Sequence, residues 1–164
     1  MIIRPATVAD VPQMTVLLNE IIAIGGTTAH QTPFDNDKML HHYLARPEVV
    51  SCLVAEENGA VLGFQYLAWA SDPDDPMPDG WAIIASFVAQ SAAGKGVGQH
   101  LFAATKESAA TAGVETIDAT IRADNVAGLR YYGGLGFVDY DRLLDVPLRD
   151  GTPVDRVRKR FDLT

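Results

Sequence analysis

The sequence has a single cysteine, Cys52, in 164 residues. That excludes an intrachain disulfide framework and fits a reducing compartment. No apolar run approaches the roughly 20 residues that span a bilayer. The opening, Met1-Ile2-Ile3-Arg4-Pro5, lacks the basic and apolar regions of a secretory signal. Positive charge is scarce: 13 Lys and Arg against 21 Asp and Glu leave a formal charge of −8. Nucleic acid and anionic membrane surfaces want a positive face, so neither is expected as a partner. Repeats and linkers are missing, and the Pro- and Asp-rich stretch 71–80 is long enough only for an exposed loop. No cluster of His, Cys and carboxylates has zinc-ligand spacing, so no metal is expected. What is present suffices to fold: 48% of residues are hydrophobic and 21% charged, which reads as one globular, cytoplasmic domain over residues 1–164.

Periodicity orders the elements. Ile2-Ile3-Arg4 reads as a strand, and Val11, Met14, Leu18, Ile21 and Ile22 recur at helical spacing before Gly25-Gly26. Asp35 or Asn36 caps a second helix through Leu44, in which His41 and His42 read as surface residues, as does His100 further on. Strands over 49–55 and 60–70 flank Asn58-Gly59, a hairpin signal. A core strand over 81–88, a helix opened by Gly94-Lys95-Gly96-Val97-Gly98 and running to about Ala112, an alternating strand over 115–121 and a helix from Asp124-Asn125 to Gly133-Gly134 follow. Strands over 135–146 and 154–163 close the chain. The order β-α-α-β-β-β-α-β-α-β-β favours a mixed α+β sheet over a purely parallel one.

The chemistry-bearing stretch is a strand, then Gly94-x-Gly96-x-Gly98, then a helix. Glycines let a ligand approach the backbone, and a helix N-terminus adds unpaired N–H groups and the positive dipole end. That combination is an anion site suited to phosphate, to which Lys95 adds a charge. Walker A is excluded because Gly94-Lys95 is followed by Gly96, and the dinucleotide fingerprint fails because Gln99 or Leu101 stands at its third glycine.

Phe87 to Gly98 resembles the acetyl-CoA loop of the GCN5-related N-acetyltransferases, Gln/Arg-x-x-Gly-x-Gly/Ala, with Gly96 and Gly98 on the family's glycines and Ala93 where Gln or Arg is usual. Asn125-x-x-Gly128-Leu129-Arg130-Tyr131-Tyr132-Gly133-Gly134-Leu135-Gly136-Phe137 is similar to the family's Asn…Tyr…Leu-Gly-Phe segment. The resemblance implies a central mixed, mostly antiparallel sheet of about seven strands with about four helices, splayed between the fourth and fifth strands. It implies acetyl-CoA as cosubstrate. Phe87 and Val88 would hold the pantetheine arm through their backbone, and amides from Ala93 through Gly94, Lys95, Gly96 and Val97 to Gly98 would hold the pyrophosphate. Asn125 would bond the cofactor, and Tyr132 would sit near the thioester sulfur as the acid for the leaving thiolate, with its neighbour Tyr131, turned to another face, as the control. It also implies a homodimer, for which 154–161 offers an edge strand.

The strand 81–88 carries no carboxylate, so the general base is left among Asp72, Asp75, Asp79, His30, Ser86 and water. Residues 25–34 and Arg4-Pro5-Ala6-Thr7 are similar to the phosphinothricin-type branch, which implies a small amino-acid-like amine as acceptor. A protein or peptide acetyltransferase and a non-catalytic CoA-binding regulatory domain are the alternatives. Trp69, Trp81, Phe34 and Tyr66 read as core rather than pocket wall. Because CoA is itself polyanionic, its affinity must be local, while the acidity of the chain would favour a cationic amine.

Overall fold

The computed structural model describes residues 1–163. Seven strands form one sheet in the order β1-β2-β3-β4-β5-β7-β6. They are β1 (Ile2–Pro5), β2 (Val49–Glu57), β3 (Ala60–Trp69), β4 (Trp81–Val88), β5 (Thr116–Arg122), β6 (Val138–Pro147) and β7 (Pro153–Asp162). Four helices accompany them: α1 (Val11–Ile24), α2 (Asn36–Met39, continued by a π turn over Leu40–Leu44), α3 (Val97–Ala112) and α4 (Val126–Leu135). The mixed α+β architecture and the element order match the expectation.

Strand polarity explains the two-faced core. Even-numbered side chains of β3 (Phe64, Tyr66, Ala68) pack with Met14, Leu18, Phe34, Met39 and Tyr43 of the α1–α2 side. Leu67 faces the other way, with Phe102, Ile117 and Phe137 under α3 and α4. Asn58 (φ 51°) and Gly59 (φ 82°) both adopt left-handed geometry, which the tight β2–β3 hairpin requires. Asp35 caps α2 by accepting from the Lys38 N–H at 2.7 Å.

Only β4 and β5 are parallel neighbours, and they pair only at Trp81–Thr116, Ala82–Ile117 and Ile83–Asp118. Beyond Ile83 the strands diverge, leaving the C-terminal half of β4 without a partner on that side. The Ala70 N–H bonds the Trp81 carbonyl and the Ala89 N–H bonds the Leu62 carbonyl. This alternation turns the backbone groups of odd-numbered β4 residues, Phe87 among them, toward β3. The N–H and C=O groups of Ser86 and Val88 therefore face the gap. A peptide-like chain entering there finds Val88 as expected, with Ser86 in the place foreseen for Phe87.

One expectation is overturned. The segment 154–161 is not an edge: β7 lies between β5 and β6 and pairs with both. The free edges are β1 and β6, so sheet-to-sheet pairing with a second copy would use one of those. No helix among the described residues is long and apolar enough to cross a membrane.

Candidate active site

Two cavities meet at the β4–β5 gap. The first, ≈ 470 Å³, runs along Val88, Ala89, Ala93, Gly94 and Gly98 between α1 and α4. The second, ≈ 310 Å³, opens toward His30, His42, Tyr43, Tyr66, Thr120, Arg122 and Arg156. Thr27, Ser86, Phe87, Asn125, Gly128 and Tyr131 line both. A groove suited to an extended ligand thus opens onto a chamber of small-molecule size.

The glycine loop supplies the groove's polar end. Gly94 (φ 79°) and Gly96 (φ 75°) sit in the left-handed region, which side-chain-bearing residues enter at a cost. The Ala93 N–H is spent on Gln90 and the Lys95 N–H on Ala92. The amides of Gly94, Gly96, Val97 and Gly98 make no backbone bond among the described residues, as the first turn of α3 requires. The expected amide cradle therefore narrows to four donors plus the helix dipole, a fit for a pyrophosphate. Val97 contributes only its amide, since its side chain is core. Lys95 is exposed and 3.8 Å from the Glu57 carboxylate, so its charge is already shared.

Asn125 lines both cavities, and its side chain already has partners within the chain. Its Oδ1 accepts from the Gly128 N–H at 2.9 Å and caps α4, and its Nδ2 donates to the Thr27 carbonyl at 3.1 Å. Arg122 donates to the Thr28 carbonyl at 3.0 Å. Together they strap residues 27–28 across the junction of the two cavities.

Tyr132 is buried, with its hydroxyl 2.8 Å from Ser86 Oγ. Burial holds its pKa well above the ordinary phenol value. Tyr131 is not turned away from Tyr132 as expected. Its hydroxyl donates to the Gly98 carbonyl at 2.7 Å and accepts from Gln65 Nε2 at 3.0 Å, and Gln65 also donates to Ser86 Oγ at 2.8 Å. Gln65 is fully buried, and its Oε1 has no partner. The two tyrosine rings lie 4.8 Å apart and converge on one polar group between β3 and β4. An added Cβ on Gly98 would stand 2.6 Å from the Tyr131 ring, so glycine is required there for close approach. The sequence signal missed was Gln65, a polar residue inside an apolar strand.

Of the proposed bases, Ser86 and His30 line the second cavity, a chamber of small-molecule size. Asp72, Asp75 and Asp79 do not: Asp75 is held by Arg158 in two bonds of 2.9 and 2.6 Å, and Asp72 accepts from the Asp74 amide in an exposed turn. His42 also lines the chamber, contrary to its reading as a surface residue. The reason is the π turn, in which the Ala45 N–H bonds the Leu40 carbonyl and widens the helix so that His42 and Tyr43 share one wall. Desolvation lowers the pKa of both imidazoles, for His42 to about 4 with help from Arg46. Both rings are therefore neutral at pH 7. His30 Nε2 lies 2.8 Å from the Tyr43 hydroxyl. Tyr66 belongs to this wall as well as to the core. No carboxylate lines the chamber among the described residues, whereas Arg122 and Arg156 do. The expected attraction of a cationic amine by acidic surroundings is absent at the site itself.

A profile described as the Acetyltransferase (GNAT) family matches residues 17–137. The chain belongs to the GNAT family. This GNAT protein is 31% identical over 140 residues to an L-methionine sulfoximine/L-methionine sulfone acetyltransferase of Pseudomonas aeruginosa, an alignment covering 82% of this chain and 78% of that one. Its fold superposes on an N-acetyltransferase of Staphylococcus aureus Mu50 with TM-score 0.87 and 24% identity, over 99% of this chain and 98% of the other. It superposes on an acetyltransferase of Salmonella typhimurium, solved with its cofactor acetyl-CoA, with TM-score 0.84 and 26% identity, over 99% and 94%. As a GNAT enzyme the protein is an N-acetyltransferase, with acetyl-CoA as acyl donor.

Proposed function

We propose that this GNAT enzyme acetylates the primary amine of a small amino-acid-like molecule by direct attack on the thioester. The observation that carries the reading is the ≈ 310 Å³ chamber joined to the glycine-loop groove at Ser86, Phe87 and Tyr131. Its volume suits a small acceptor. The relative acting on L-methionine sulfoximine and L-methionine sulfone supports the same class.

Bound acetyl-CoA supplies an activated acyl group. The chain's residues do the rest. The Val88 N–H, turned into the gap by the β4 alternation, is a donor for the carbonyl oxygen as charge develops on it. An alkylamine with pKa near 10.4 is mostly protonated at pH 7, so it must lose a proton before it attacks. His30, neutral and half-buried in the chamber wall, takes that proton directly or through water. The C–N bond forms and the C–S bond breaks as the thiolate receives one proton from Tyr132, whose hydroxyl Ser86 holds; the second proton of the attacking nitrogen, released as the amide forms, restores the Tyr132 hydroxyl through Ser86 or water, and His30 returns its proton to solvent. The products are the N-acetylated acceptor and free CoA thiol.

Incubation with acetyl-CoA and a panel of amino acids, simple amines and peptides, following thiol release, tests this. Turnover confined to small amino-acid-like amines is expected. Turnover confined to peptides, or thermal stabilisation by acetyl-CoA without thiol release on any acceptor, would overturn it in favour of a protein acetyltransferase or a CoA-binding regulatory domain.

A further inference from the structure

Arg122 and Arg156 stand directly opposite each other on β5 and β7. Like charges in that cross-strand position repel unless something neutralises them. Arg122 is neutralised by Asp124, with bonds of 3.0 and 2.8 Å. Arg156 has no ion pair among the described residues, and its Nε is buried without a hydrogen-bond partner. The neighbouring carboxylate, Asp75, has both oxygens committed to Arg158. A partly buried guanidinium left in this state carries an unmet desolvation cost, which an incoming anion offsets. Both arginines line the acceptor chamber, and neither lines the glycine-loop groove.

We propose that Arg156 anchors the acceptor's own anionic group, so that the enzyme selects amines that also carry a carboxylate. The assignment rests on the acetyl-transfer reading of the chamber and adds a specificity-determining residue to it. Arg156 can offer a planar pair of donors, the geometry that matches a carboxylate. Arg122, held by Asp124 and the Thr28 carbonyl, fixes the strap over the chamber instead. The pyrophosphate is not the anion in question, because its amide cradle lies at the other end of the gap.

The best acceptor from a panel of the common L-amino acids plus L-methionine sulfone is compared with its own carboxamide, in the wild type and in R156Q and R156K. In the wild type the carboxamide should show a KM about tenfold to a hundredfold higher. R156Q should raise the KM of the acid by a similar factor, leave that of the carboxamide within about twofold, and leave the KM of acetyl-CoA unchanged. R156K should recover part of the loss. Calorimetric titration of the acid into the protein with CoA, which needs no turnover, should show binding in the wild type and its loss in R156Q. Equal KM values for acid and carboxamide in the wild type would overturn the proposal even if R156Q failed to fold. So would an equal rise for both acceptors, or a rise in the KM of acetyl-CoA. Absence of thiol release from every amine, with the calorimetric loss in R156Q intact, would instead remove the acetyl-transfer reading and keep the anion site.

Discussion

Replacing Gly98 by alanine isolates the contact that joins the glycine loop to α4. A Cβ at Gly98 would lie 2.6 Å from Tyr131 Cε1, 3.0 Å from Cζ and 3.2 Å from the hydroxyl oxygen. Carbon atoms pack at about 3.5–4.0 Å, so the ring must withdraw by roughly 1 Å. Overpacking of this kind costs about 1–3 kcal/mol. The bond of Tyr131 to the Gly98 carbonyl, at 2.7 Å, cannot keep its geometry, which adds about 1 kcal/mol. The expected total for Gly98→Ala is about 2–4 kcal/mol, read by urea denaturation. Because Tyr131 lines both cavities, the thermal stabilisation given by acetyl-CoA should also shrink. Gly134→Ala, in the last turn of α4, is the internal reference. Nothing lies within 4 Å of its added Cβ and its φ is not positive, so alanine should stabilise by about 0.5 kcal/mol through the lost freedom of glycine. Gly98→Ala within about 0.5 kcal/mol of the wild type, with acetyl-CoA stabilisation intact, would refute the packing argument.

Tyr132→Phe should lower kcat by about 100-fold or more while leaving acetyl-CoA affinity within a few-fold, as measured by steady-state thiol release; an unchanged kcat would remove it as the proton donor. Stability should respond to acid in two windows. His42 is held near pH 4 in the fold and titrates near 6.5 when unfolded, so its contribution is complete above 6.5 and is lost as the pH falls toward 4. The full shift would be worth about 3 kcal/mol, but the ring is only partly buried, and screening reduces it to the order of 1 kcal/mol. Urea melts of the wild type and His42→Gln between pH 7 and 4 should show the smaller slope in the variant. Asp10 is held down to about 2 by two 2.8 Å bonds from Arg4, so its contribution persists above about pH 4 and is lost as the pH falls toward 2; Asp10→Asn should flatten that lower limb.

The order of elements could be read from the chain because each signal is local. The spacing of Met14, Leu18 and Ile22, the Asn58-Gly59 turn and the Asp35 cap act over a few residues, and the fold leaves them in place. The glycine-loop groove was nearly as legible. Glycines before a helix expose amides whatever surrounds them, and structure altered only which amides are free, by spending those of Ala93 and Lys95 on the preceding turn. The chamber proposed for the acceptor was not legible in this way. Its walls come from the 27–30 loop, the π turn, β3, β4, β5, α4 and β7, and no window of sequence contains two of its charged groups in contact. His42 read as exposed because helical periodicity does not anticipate an i→i+5 turn. Asp75 read as a free loop carboxylate because its partner, Arg158, lies 83 residues away.

By itself, the sequence determined the elements, the glycine turn ahead of α3 and the family resemblance, all of which rest on interactions between near neighbours. Only the tertiary structure decided which side chains share the chamber. It showed that β7 is internal, that Tyr131 and Tyr132 meet through Gln65 and Ser86, and that Arg156 faces Arg122 without a carboxylate of its own among the described residues. Those are consequences of strand order, register and desolvation, which depend on segments far apart in the chain and exist only once the sheet has formed.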